Sequence, residues 1–175
     1  MITARSGFTK FRYQLYDAGG CLAGQLLLPT FIPVPRNGWA ADVVPEAFKD
    51  HVKISWGNRS LRVEYDLLSD RAVRPNDLKF TLVEGNATLA TATVCVSGRP
   101  TWTIDCDVGQ IRLIRQARFF RHRFAVLSDA VQIGRIRETT GFSLWRRKFE
   151  IALPDTVDPA LQAFLFFLCV NAWFR

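Results

Sequence analysis

The stretch from Ala160 to Phe174 (Ala-Leu-Gln-Ala-Phe-Leu-Phe-Phe-Leu-Cys-Val-Asn-Ala-Trp-Phe) constrains the fold more than any other feature of the chain. Asp158-Pro159 precedes it, an N-cap carboxylate followed by a proline pre-set for the first helical position, so a helix is expected over 159–174. Its polar residues, Gln162 and Asn171, fall on opposite sides of that helix at about 100° per residue, which leaves no polar face. The run spans about 22 Å at a 1.5 Å rise, short of the roughly 30 Å hydrocarbon core of a bilayer. Length and the two amides argue against a membrane anchor. A short helix that is apolar all round must instead be enclosed by protein on every side.

The remainder of the chain supplies the enclosure as short strands. Phe11, Tyr13 and Leu15 alternate with Arg12, Gln14 and Tyr16; Leu61, Val63 and Tyr65 alternate with Arg62 and Glu64; Leu78, Phe80 and Leu82 alternate with Lys79 and Thr81. This is the two-residue period of a half-buried strand. Residues 87–96 and 142–153 read as further strands. The punctuation is turn chemistry: Asp17-Ala-Gly-Gly20, Gly57-Asn58, Glu84-Gly85-Asn86, Ser97-Gly98-Arg99-Pro100 and Val108-Gly109. Roughly ten to twelve strands result, regular enough for a sandwich or barrel. A closed antiparallel barrel of about twelve strands removes exposed edges and offers an interior for the apolar helix. The expectation is therefore a single domain over 1–175, mainly β, plugged by its C-terminal helix. Pro29 to Pro45, with four prolines around Asn37-Gly38-Trp39, does not suit a central strand, and 29–50 is expected to be a loop insertion. One internal echo stands out. Tyr13-Gln-Leu-Tyr-Asp17 with Gly24-Gln-Leu26 resembles Phe124-Ala-Val-Leu-Ser-Asp129 with Gly134-Arg-Ile136, either as two ordinary hairpins or as a duplication.

At 175 residues with 49% hydrophobic content, the chain is long enough to bury a core without staples and is neither disordered nor low-complexity. Its four cysteines, Cys21, Cys95, Cys106 and Cys169, form no CxxC pair, so reduced and mostly buried thiols are expected in a cytoplasmic protein. Asp105 and Asp107 flank Cys106 and should raise its pKa. The first ten residues contain no signal-peptide run, residue 2 is not the glycine that myristoylation requires, and Asn-Ala-Trp-Phe-Arg is no prenylation box.

The hairpin Phe124–Asp129 to Gly134–Ile136, the segment Phe142-Ser-Leu-Trp145, and the ending Leu153-Pro-Asp-Thr-Val-Asp-Pro-Ala-Leu-Gln162 before the apolar run resemble the tubby C-terminal-like superfamily. That group includes tubby domains, phospholipid scramblases and LURP-one-related proteins. The resemblance implies a twelve-stranded barrel around a buried C-terminal helix, in agreement with the reading of the residues. The chain lacks tubby signature segments, a scramblase-type cysteine cluster and an acidic calcium loop, so the resemblance carries over no functional residue.

Between Arg99 and Lys148 there are eleven basic and four acidic residues, which accounts for the whole net charge of +7. The densest part is Arg112, Arg115, Arg118, Arg121 and Arg123 with His122 among them, followed by Arg146-Arg147-Lys148. These eight basic residues are the candidate anion-binding set, and anionic phospholipid headgroups are the first expected partner, which would place the protein at the membrane periphery. A strand would divide arginines spaced by three between its two faces. Nucleic acid is a lower-ranked partner, since no recognition motif accompanies the basic run. A solvated face on a protein-interaction scaffold is the alternative. His51 and His122 are the histidines, neither at a metal-ligand spacing, and His122 between two arginines should stay neutral. No nucleophile elbow, phosphate-cradling glycine loop or metal-binding helix is present, and paired acids such as Glu64 and Asp66 are ordinary on an exposed strand. The expectation is a non-enzymatic module with no cofactor and no metal.

Overall fold

The computed structural model describes residues 1–7, 11–28, 52–67, 78–95, 101–116, 122–140 and 146–171. The chain runs β1 (Ile2–Ser6), β2 (Arg12–Tyr16), β3 (Leu22–Leu27), β4 (Val52–Trp56), β5 (Arg59–Leu67), β6 (Leu78–Glu84), β7 (Ala87–Cys95), β8 (Thr101–Cys106), β9 (Gly109–Gln116), β10 (Arg123–Ser128), β11 (Val131–Glu138), β12 (Lys148–Ala152) and α1 (Pro159–Asn171). Each strand pairs antiparallel with its neighbours in sequence, and β1 pairs with β12 to close a twelve-stranded barrel. Closure is fixed by the pairs Ile2 with Ile151 and Arg5 with Lys148, which join the two ends of the sheet. No edge strand remains, and edge-to-edge association is removed with it.

The barrel encloses α1. Residues Ala160 to Asn171 are all buried, and Gln162 and Asn171 are no exception at 4% and 0% exposure. Phe166 meets Tyr13 and Phe149 edge-on or tilted at 5.2 Å, and Phe167 meets Phe80 at 5.5 Å. The helix thus presents aromatic rings to opposite sides of the wall, as a helix without a polar face requires. Gln162 satisfies one side of its amide by donating to the Val157 carbonyl at 2.9 Å. The start is where Asp158-Pro159 predicts it. Asp158 Oδ1 accepts the Ala160 N–H at 2.6 Å as the N-cap. Arg59 then ties that cap to the wall, donating to both Asp158 oxygens at 2.9 and 2.7 Å and bidentately to Glu84 at 2.9 Å.

The strand alternation also stands as expected: Tyr13, Leu15, Leu61, Val63, Tyr65, Phe80 and Leu82 face inward. The hairpins 17–21, 57–58, 85–86, 107–108 and 129–130 lie at one end of the barrel, where the chain also turns into α1. At the other end the strands lead into the segments outside the described residues. The expected 29–50 insertion, residues 142–145 of the expected 142–153 strand, His51, Arg118 and Arg121 fall there, while 148–152 form β12.

The internal echo has a structural counterpart, and a third copy. In β2–β3 the register skips Ala23, in β6–β7 it skips Leu89, and in β10–β11 it skips Ile133. The residue after each skipped one is small: Gly24, Ala90, Gly134. At two of these the next strand comes close, since a Cβ on Gly24 would overlap the Ser55 carbonyl and one on Gly134 the Ala152 carbonyl. One bulge every fourth strand bends the wall at three places, which is how a twisted sheet is curved into a barrel. Phe80-x-Leu82 and Phe124-x-Val126 match without a gap, whereas the β2–β3 turn is one residue longer; in the third copy alanine, Ala90, stands where the other two have glycine.

Candidate functional site

Strand alternation sorts the basic residues by face. On β9, Ile111 and Leu113 are buried, so Arg112 points outward. On β10, buried Phe124 leaves Arg123 outward. On β11, buried Ile136 and Glu138 leave Arg135 and Arg137 outward. On β12, Lys148 and Glu150 flank buried Phe149 and point outward. On β1 and β2 the outward bases are Arg5 and Arg12. These strands are consecutive in the barrel, so their outward positions place seven bases on one half of its outer surface with a single strand carboxylate, Glu150, among the described residues. Register brings them close. Arg123 stands opposite Arg137, Arg137 opposite Glu150, and Lys148 opposite Arg5.

The Glu150 carboxyl is held below its ordinary value, chiefly because Arg137 Nε donates to its Oε2, with the charges of Arg135 and Lys148 adding to the effect. One acid therefore serves several bases. Arg123 has no acidic partner among the described residues and its Nε is buried without a hydrogen-bond acceptor, while Arg135 meets Glu150 through charge alone, with no ion pair. Arg5 lies over the Tyr16 ring at 4.6 Å, a cation–π contact that keeps the charge on the surface. The opposite sector differs in character. Thr81, Thr91, Thr93, Thr101 and Thr103 point outward there, and Arg62 is paired with Glu64 at 2.8 Å. The excess charge is thus one-sided.

Of the eight predicted residues, Arg112, Arg123 and Lys148 join this face, and Arg146 is exposed just before β12. Arg115 and Arg147 do not join it. Arg115 occupies the inward register of β9, opposite buried Phe124, and its Nη2 donates to His122 Nδ1 at 3.4 Å. Arg147 turns to Glu138, which is 7% exposed, with contacts of 2.9 and 3.2 Å, and lies 5.8 Å from the Phe149 ring centre. Thr140 Oγ1 donates to the same carboxylate at 3.0 Å, and Ser6 exchanges hydrogen bonds with the Arg147 backbone at 2.7 and 2.8 Å. The cluster seals one end of the wall where β1, β11 and β12 meet. Arg118 and Arg121 lie outside the described residues.

Sequence reasoning missed Arg5, Arg12, Arg135 and Arg137. The last two were recoverable from alternation around Ile136. The first two come to the face only because the N-terminal strand closes the barrel against β12. His122 is held below its ordinary value, as expected, but for a different reason: burial acts first, then the charges of Arg147 and Arg115, against Glu138. Cys106 is likewise pushed up by burial first and by Asp107 and Asp105 only after it. It borders a cavity of about 480 Å³ at the helix N-terminus, with Arg59, Asp158, Leu82 and Leu161, but a thiol held in its neutral form is a poor nucleophile. Of the three cysteines whose surroundings are described, Cys169 is buried, Cys106 half-buried and Cys21 exposed, all with free thiols, so the expectation of mostly buried cysteines is only partly met. Among the described residues no helix is long and apolar enough to cross a membrane.

No family model, curated protein or solved structure matches the chain. The shape, a closed twelve-stranded antiparallel barrel with one C-terminal helix, is what stands.

Proposed function

We propose that the protein is a non-enzymatic module that binds anionic surfaces, phospholipid headgroups first, through the outer face of β9 to β12, β1 and β2. The observation that carries this reading is the sector of seven outward bases, Arg5, Arg12, Arg112, Arg123, Arg135, Arg137 and Lys148, with Glu150 as the one carboxylate at outward strand positions among the described residues. A base near an anionic bilayer contributes about 1 kcal/mol, screened over about 10 Å at 0.1 M salt. Several bases on one side of a rigid wall act together, whereas the same number spread around the barrel would not. In this reading the protein works in the cytoplasm and at the membrane periphery. The barrel around a C-terminal helix further supports membership of the tubby C-terminal-like superfamily as part of the same proposal.

The test is flotation of the purified chain with acidic and neutral liposomes at low and physiological salt, with duplex DNA as competitor. Binding to acidic vesicles that weakens with salt and survives DNA is the expected result. Absence of flotation at low salt overturns the reading, and loss to DNA moves it to nucleic acid.

A further inference from the structure

Arg123 and Arg137 stand directly across from each other on the outer faces of β10 and β11. Like charges in that position destabilise a sheet. Glu150 relieves one of them by accepting from Arg137 Nε, and no acidic group among the described residues relieves the other. Arg123 keeps its Nε buried and without an acceptor, although an arginine nitrogen out of water is expected to find one. Arg135, two residues along β11 on the same face, makes no ion pair among the described residues and shares the charge of Glu150 with Arg137. Three guanidinium groups thus surround a spot on a rigid wall with one carboxylate at its edge.

We infer that this spot is a discrete oxyanion site, in which a phosphate-type tetrahedral dianion bridges Arg123 and Arg137 with Arg135 beside it. The inference rests on the reading of this face as anion-binding and goes beyond it by naming the subsite and the ligand's chemistry. The guanidinium fork is built for such a group, because its N–H donors match two oxygens of one phosphate, which an ammonium does not. The dianion accepts from the outer N–H groups of the Arg123 and Arg137 forks and removes the Arg–Arg repulsion in one step. Glu150 competes with it for Arg137. A phosphomonoester headgroup and free phosphate share this chemistry.

The experiment follows the arginine Nε–Hε resonances of the ¹⁵N-labelled protein during titration with inorganic phosphate, chloride holding ionic strength constant. Saturable shifts are expected at two or three arginines. Arg123→Gln and Arg137→Gln should each weaken binding at least tenfold, and Arg62→Gln, across the barrel, should leave it unchanged. Glu150→Gln should tighten it several-fold, a gain that damage to the fold does not mimic. Non-saturable shifts, an equal loss in Arg62→Gln, or no gain in Glu150→Gln overturns the site. Flotation then separates the two sources at matched vesicle charge. Preference for phosphatidic acid over phosphatidylglycerol, lost in Arg123→Gln, makes the ligand a lipid monoester. Equal flotation with phosphate binding retained makes it a soluble phosphate, and either result keeps the site. If phosphate does not bind while phosphatidylglycerol vesicles still float the protein, the site falls and the basic-face reading stands.

Discussion

Replacing Phe167 with alanine should cost about 4 kcal/mol of stability. The ring is 1% exposed, sits edge-on to Phe80 at 5.5 Å and stacks on Phe164 at 6.1 Å. The substitution removes roughly 100 Å³. A void of that size costs about 2.4 kcal/mol at the ~24 cal/mol per Å³ found for rigid cores, above a transfer loss of about 2 kcal/mol. A void relaxes when its surroundings can collapse. Here the surroundings are a closed ring of hydrogen-bonded strands, so the full cavity term is expected. The assay is urea unfolding followed by tryptophan fluorescence and far-ultraviolet circular dichroism, with benzene as an added probe. An apolar void of this kind stays dry and accepts such a ligand, so benzene should restore part of the loss. A cost below about 1.5 kcal/mol, with no response to benzene, would show that the ring is not enclosed and would refute the helix-in-barrel packing.

Three further outcomes follow from local geometry. Asp158→Ala removes the cap of α1 and both Arg59 contacts, and should cost about 1–2 kcal/mol in the same unfolding assay, with Asp158→Asn costing less because it still caps. Ala130 holds a left-handed φ of 68° in the β10–β11 turn beside Asp129 at 48°, so Ala130→Gly should stabilise by up to about 1 kcal/mol in thermal melts. His122 binds its proton less readily in the folded chain than at its ordinary value of 6.5, so the unfolded chain takes up more protons just below that pH. Stability should therefore fall as pH drops from about 6.5, and His122→Gln should flatten that part of the profile, measured as unfolding midpoint against pH.

The enclosed helix was legible in the sequence because a run without a polar face allows few environments, and the strands because Tyr13, Val63 and Phe80 sit in clean alternation. Aspartate before proline marked the helix start to the residue. Non-local geometry was not legible. Nothing in Ile2–Ser6 announces that it will lie beside Lys148–Ala152, so Arg5 and Arg12 stayed out of the basic set until the barrel closed. The spacing of three between Arg112 and Arg115, by contrast, already assigns them to opposite faces of a strand, as the pleat does. The environment of His122 was read from Arg121 and Arg123, whereas the described charges acting on it, Arg147, Glu138 and Arg115, arrive from other strands. For Arg5 and Arg12, and for the Arg147 and Glu138 charges on His122, the contact that mattered came from a segment distant in sequence.

Charge on one sector of the barrel is the proposed means of binding anionic surfaces. The most direct test measures the affinity of the wild type for phosphatidylserine vesicles against salt, beside a variant with Arg5, Arg112, Arg135 and Lys148 all changed to glutamine. At about 1 kcal/mol per base, the four changes together should weaken binding on the order of a thousandfold, with a shallower salt slope. Equal affinity and slope in the two proteins would contradict the claim.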